Sequence, residues 1–226
     1  MGEQKRPLQT GERAPAFALP AANLDGMVSL DSLRPRPFLI GFYRGLHCPF
    51  CRRQLLQLAA MQADLRAAGV ETLAVINTPV DNARLYFRHR PTPVTLLCDP
   101  DCVTHRAYGV PHIEFLPEGS SEQPEWPYHA SMAEFVASRV NPTGDLPEPL
   151  QPLEALSAMN ARDGFELQEA DSAIVANHGT QLVGHFLVDA AGMVGWVQIE
   201  APEGPNSLCL FANAAEIIAA AGSLRH

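Results

Sequence analysis

The stretch Phe38-Leu39-Ile40-Gly41-Phe42-Tyr43-Arg44-Gly45-Leu46-His47-Cys48-Pro49-Phe50-Cys51 decides the fold. With Pro37, residues up to Tyr43 form a short apolar, aromatic run, the pattern of a strand covered on both faces. After the turn Gly45–Pro49, apolar residues return at 55, 58, 61 and 65, with Gly69 beyond. That spacing predicts a long helix. Pro49 sits where a first-turn proline is tolerated and Gly69 ends the run. Further along, Val70 to Ile76 and Val94 to Cys98 read as strands, and Asp81 to Arg90 and Asp101 to Tyr108 as helices ended by Pro91 and Gly109. Strand and helix therefore alternate, which calls for parallel strands joined by right-handed crossovers.

The C-terminal part changes pattern. Gly184 to Val188 and Val194 to Ile199 flank Ala190-Ala191-Gly192, a hairpin signal. Asn213 to Ala221 reads as a closing helix stopped by Gly222. The expected class is α/β, with a mixed central sheet and helices on both faces. Residues 111–180 are Pro-rich and acidic, with helical patterns over Ala130 to Val140 and Leu153 to Arg162. They read as an insertion between core stretches 11–110 and 180–222 of one domain spanning 1–226. Such an excursion serves as a lid, an oligomer contact or a partly ordered loop.

The chain has 226 residues, 46% hydrophobic and 18% charged, enough to bury a sizeable core. Its net charge is −9 and Lys5 is its one lysine, which argues against nucleic acid or an anionic membrane surface as partner. No stretch approaches the roughly 18 uncharged apolar residues of a spanning helix. MGEQKRPLQT carries no apolar signal core, so the expected location is cytoplasmic. Five cysteines is an odd count, which points to reduced, metal-bound or catalytic thiols rather than a secreted disulfide framework.

Cys48 and Cys51 frame the start of the long helix. Unpaired N–H groups and the positive dipole end favour a thiolate there, and Arg44, His47, Arg52 and Arg53 supply cationic or hydrogen-bonding groups nearby. Three residues apart, the two sulfurs share a helix face and can close a disulfide. The bland readings are a pair of buried structural cysteines or half a zinc site, completed by Cys98 and Cys102 or by His47 and His105. His47 reads equally as a base at the helix entry or a solvent-facing loop residue. Tyr43 reads as core, Cys98 as a small buried hydrophobe, and Cys209 as core or interface. Cys102 is a weak candidate for a second resolving thiol, and His129 and His178 lie too far apart in sequence to suggest a metal pair.

Four stretches resemble the alkyl hydroperoxide reductase/thiol-specific antioxidant family, peroxiredoxin-like proteins of thioredoxin fold. They are Gly11–Pro20, Phe42–Cys51, Cys98-Asp99-Pro100 through Tyr108-Gly109-Val110, and Phe186–Asp189 through Gly192–Trp196. The resemblance implies a three-layer thioredoxin-like fold and a thiol oxidoreductase that reduces hydroperoxides through a CxxC thiolate/disulfide cycle. Cys48, Cys51, Arg44 and His47 would be its site residues, and it would need no bound cofactor. It implies a hydroperoxide or disulfide substrate, an external thiol reductant such as a thioredoxin or glutathione system, and a homodimer. Laid ungapped on the family's Pro-x-x-x-Thr-x-x-Cys motif, the attacking sulfur falls on Cys51. Read as in thioredoxin, it falls on Cys48. The family's peroxide-activating arginine would fall near Val183, and Arg44 is the candidate to stand in for it. The alternatives are thiol-disulfide exchange without peroxidase activity, or a redox-sensing or binding module.

Overall fold

A computed structural model describes residues 6–123 and 125–224, so Met1–Lys5, part of the stretch on which the cytoplasmic expectation rested, lie outside the described residues. In chain order the elements are β1 (Ala18–Pro20), β2 (Met27–Ser29), α1 (Leu30–Leu33), β3 (Phe38–Tyr43), α2 (Pro49–Ala67), β4 (Glu71–Ile76), α3 (Val80–Arg88), β5 (Thr95–Cys98), α4 (Val103–Ala107), β6 (Glu114–Phe115), β7 (His129–Ala130), α5 (Met132–Ala137), α6 (Pro152–Asp163), α7 (Glu169–His178), β8 (Gly184–Val188), β9 (Val194–Ile199) and α8 (Ala214–Ser223).

The central sheet has the order β5-β4-β3-β8-β9. β3, β4 and β5 run parallel, while β8 pairs antiparallel with β3 and β9 antiparallel with β8. The decisive apolar run is thus the middle strand, buried at all six positions. Leu39 and Tyr43 join one core, with Leu58, Met61 and Leu65 of α2 and Ile217 of α8. Phe38, Ile40 and Phe42 join the other, with Phe17, Leu30 of α1 and Tyr108 at the end of α4. A strand buried on both faces needs no polar alternation, which is why its sequence shows none. The mixed sheet between two helical layers is the expected class.

α2 keeps its expected start and stop. Pro49 opens it, and beyond it Gly69 takes φ +75°, a left-handed turn that a side chain would strain. The closing helix departs from expectation. α8 runs through Gly222 to Ser223, because Gly222 lies in the last turn, where a weak helix former costs little. Its start holds: the Asn213 side chain accepts from the Glu216 N–H at 3.0 Å, and Glu216 returns a bond to the Asn213 N–H.

The 111–180 stretch packs onto the core. Val140, Leu146, Ala155 and Met159 join the same cluster as α2. Arg52 clasps it. Its guanidinium donates to the Leu46 carbonyl, to Asn160 Oδ1 at 3.0 Å and to Asp163 Oδ2, and stacks 4.3 Å from the Phe165 ring. Arg53 pairs with Asp145 and Asp163. Both arginines, expected beside the cysteines, are spent on carboxylates of this stretch. Arg52→Met should therefore loosen α6. Losing hydrogen bonds between charged groups costs roughly 1.5–3 kcal/mol, about ten- to a hundredfold faster amide exchange across 152–163. Unchanged exchange there would show that the clasp holds nothing.

Candidate active site

β3 delivers Arg44 to the C-terminal edge of the sheet, and the turn 45–47 feeds α2. The turn is tight. A Cβ on Gly45 would lie 2.8 Å from Asn77 Oδ1 and 3.0 Å from both His47 Nδ1 and Thr78 Oγ1, so only glycine fits. Thr78 Oγ1 accepts the Leu46 N–H at 3.0 Å, and Asn160 Nδ2 donates to the His47 carbonyl at 2.9 Å.

Cys48 is the N-cap of α2. Its sulfur accepts the Cys51 N–H at 3.3 Å. Cys48 is 0% exposed and Cys51 1%, and both are free thiols. Burial alone would push the Cys48 thiol up. Hydrogen bonding from the Cys51 side chain, the charge and hydrogen bonding of Arg44, and the Cys51 N–H together outweigh it and bring Cys48 down to about 6. Cys51 moves the other way, well above the ordinary thiol, through burial, its hydrogen bond to Cys48 and the negative charge there. The two sulfurs are thus unequal, with one thiolate held by one thiol. Alkylation of Cys48 by iodoacetamide should rise through about pH 6 and then level, whereas an ordinary cysteine keeps climbing past about 8.5. Peptide mapping of the label across a pH series checks this, and an inflection near the ordinary value would sink the assignment.

Arg44 is buried. It donates to both carboxylate oxygens of Glu200, at 3.0 and 2.9 Å, and to the Gln181 carbonyl at 3.0 Å. Its Nη2 also lies 3.5 Å from Cys209 Sγ. Glu200 is fully buried and accepts as well the N–H groups of Val183 and Cys209, at 2.8 and 2.6 Å. Arg44 Nε is left buried without a partner among the described residues. At Val183, where the resemblance would put an arginine, the carboxylate of Glu200 sits on the backbone instead. The guanidinium bound to that carboxylate is Arg44, at the end of β3.

The AhpC/TSA family profile matches residues 10–135, more than half of the chain. The chain belongs to the AhpC/TSA family. A protein named peroxiredoxin bcp in Coxiella burnetii is 29% identical over 103 residues, 46% of this chain and 68% of that one. Among solved structures, peroxidoxin BcpB of Mycobacterium tuberculosis superposes with TM-score 0.55 over 96% of this chain and 97% of its own, at 14% identity. The reduced 2-Cys peroxiredoxin of Plasmodium vivax superposes with TM-score 0.59 over 97% and 83%, at 16% identity. These place the fold as thioredoxin-like, and the chain is a peroxiredoxin-like thiol oxidoreductase of the AhpC/TSA family.

The structure places the other candidates of this AhpC/TSA protein as follows. His47 is buried rather than solvent-facing. Burial and the charges of Arg44 and Arg52 lower it to about 4, so it is neutral at physiological pH, with Nδ1 lacking a partner among the described residues. Tyr43 is core, as expected. Its hydroxyl meets His185 Nε2 at 2.7 Å, and His185 Nδ1 meets Gln198 at 2.8 Å. Burial lifts Cys98 and Cys102 to about 12. His105 is held by Asp99 and the Tyr43 carbonyl, and no cluster of three or more metal-ligating side chains occurs among the described residues. Glu200 was missed altogether, and Cys209 was read only as core or interface. Their signal was weak: Gln198-Ile199-Glu200 puts a carboxylate straight after an apolar strand, with no local reason for burial. No helix among the described residues is long and apolar enough to cross a membrane.

Proposed function

We propose that this chain reduces hydroperoxides, with Cys48 as the attacking thiolate and Cys51 as its resolving partner. The observation that carries the reading is Cys48 at the N-cap of α2, its sulfur accepting the Cys51 N–H, with the charge of Arg44 lowering it and the buried Arg44 Nε–H left without a partner among the described residues. The Cys48 thiolate attacks one peroxide oxygen. The O–O bond breaks, Cys48 becomes a sulfenic acid, and the remaining oxygen leaves as alkoxide or hydroxide, stabilised by Arg44 and by the helix N–H groups until it takes a proton. Neutral His47 offers its Nδ1 as a hydrogen-bonding group rather than a charge. Cys51 then condenses with the sulfenic acid, forming the disulfide and releasing water. An external thiol, of thioredoxin or glutathione type, restores both.

Burial supports the small substrate. Sulfurs that are 0 and 1% exposed suit a hydroperoxide better than the disulfide of a folded protein. A groove of about 910 Å³, lined by Leu46, Arg52, Thr78, Tyr86 and Phe165 among others, reaches the active-site turn from outside. A CxxC pair that must be re-reduced after each turnover suits a reducing compartment such as the cytoplasm. The test is consumption of hydrogen peroxide and an organic hydroperoxide with dithiothreitol as reductant. Turnover well above dithiothreitol alone is expected. Insulin reduction without hydroperoxide turnover would overturn the reading in favour of thiol-disulfide exchange.

A further inference from the structure

Cys209 stands in the segment between β9 and α8, far from Cys48 in sequence, yet the same guanidinium acts on both. Arg44 Nη2 is 3.5 Å from Cys209 Sγ, the charge of Arg44 also lowers Cys48, and the charge of Cys48 in turn acts on Cys209. The backbone is bent to bring it there. Cys209 takes φ +64°, rare for a side-chain-bearing residue, and its N–H is held by Glu200 Oε1 at 2.6 Å. At its far end the segment is tied to α2 through Gln54 and Gln57, both donating to the Ala212 carbonyl. Burial, offset by Arg44, and then the charge and hydrogen bonding of Glu200 hold Cys209 as a thiol. It is also the least buried residue of the three: Cys209 is 6% exposed and the adjoining Leu210 49%.

We propose that Cys209 is a third redox-active thiol, which condenses with oxidised Cys48 and presents the resulting disulfide to the external reductant. The inference rests on Cys48 being the sulfur that is oxidised. In the step, an alternative to condensation by Cys51, the Cys209 sulfur attacks the Cys48 sulfenic sulfur, an S–S bond forms and the S–O bond breaks. The Cys209 proton passes to Glu200 and on to the departing hydroxide, so one water leaves. No oxidant is needed beyond the hydroperoxide that made the sulfenic acid. The reductant thiol then attacks Cys209, the less buried residue, and expels Cys48, whose low pKa makes it the better leaving group. A Cys48–Cys51 disulfide, by contrast, lies wholly inside.

The test uses Cys51→Ser and Cys51→Ser/Cys209→Ser, each treated with one equivalent of hydrogen peroxide or, separately, of Ellman's reagent, then mapped without reduction. The single variant is expected to yield a Cys48–Cys209 disulfide with either oxidant. The double variant should instead accumulate dimedone-reactive sulfenic acid at Cys48, at least about tenfold above the single one. Should Cys51→Ser hold as much sulfenic acid as the double variant and keep the Ellman adduct on Cys48, the third thiol is refuted while the peroxidase reading survives. Should Ellman's reagent give the Cys48–Cys209 disulfide but peroxide oxidise nothing, the third thiol stands and the peroxidase reading fails. Cys209→Ala in place of Cys209→Ser repeats the comparison without a hydroxyl beside Glu200.

Discussion

Cys48→Ser is expected to abolish hydroperoxide turnover, a loss of roughly 10³-fold or more, the scale on which removal of a covalent nucleophile acts. A serine hydroxyl at this N-cap keeps the bond to the Cys51 N–H, so the helix start and the fold should survive. What goes is the ionisable sulfur. Cys51→Ser should behave differently. Its hydroxyl still donates toward Cys48, the thiolate persists, and the first equivalent of peroxide is still consumed rapidly. Multiple turnover then depends on whichever thiol resolves the sulfenic acid. Stopped-flow peroxide consumption, single and multiple turnover, separates the two variants. The opposite pattern, with Cys51→Ser dead in the first turnover and Cys48→Ser active, would restore the ungapped motif alignment and refute the geometry described here.

Glu200→Gln is expected to destabilise the fold by about 3–5 kcal/mol, the range for removing one partner of a buried ion pair. The substitution is nearly isosteric, but it leaves the Arg44 guanidinium fully charged and buried at the end of β3. It also puts an amide where the carboxylate accepted from Val183, Cys209 and both Arg44 nitrogens. Against a total stability of about 5–15 kcal/mol, that shift is easily read as a fall in the urea midpoint. Replacing both partners, as Arg44→Met/Glu200→Leu, should recover much of the loss, because a well-packed apolar pair avoids desolvating two charges. The double variant should fold and yet leave Cys48 with an ordinary thiol pKa. A stable, inactive double variant would mean that the ion pair exists for the chemistry; a single variant as stable as the parent would mean that Glu200 is not the counter-charge of Arg44.

Much of the layout was legible because it rests on local rules. The unbroken apolar run 38–43 announced a doubly covered strand, the 55-58-61-65 spacing announced α2, and the hairpin 184–199 was found at its observed strand bounds. The CxxC junction was legible for the same reason: a helix start is written in adjacent residues. The misses share one cause. β1 and β2 are three residues each, too short for period-two patterning, and α7, Glu-Ala-Asp-Ser-Ala-Ile-Val-Ala-Asn-His, carries no continuous apolar stripe. The site was half legible. Which sulfur is ionised depends on how Arg44 is aimed, and that depends on Glu200, 156 residues away. The neutrality of His47 follows from burial beside two arginines, one of them recruited as a clasp on Asp163. Neither fact is written in neighbouring residues.

That separation bears on how the protein comes into being. Arg44 meets Glu200 across 156 residues, and Cys209 across 165. On the ribosome, Cys48 is made well before Glu200 and Cys209, which follow at about 5–20 residues per second. Until β9 and the segment after it arrive, no carboxylate seats the guanidinium and no antiparallel strand closes the sheet edge. A nascent chain therefore carries a sulfur without its finished surroundings until Glu200 and Cys209 have emerged and folded against it.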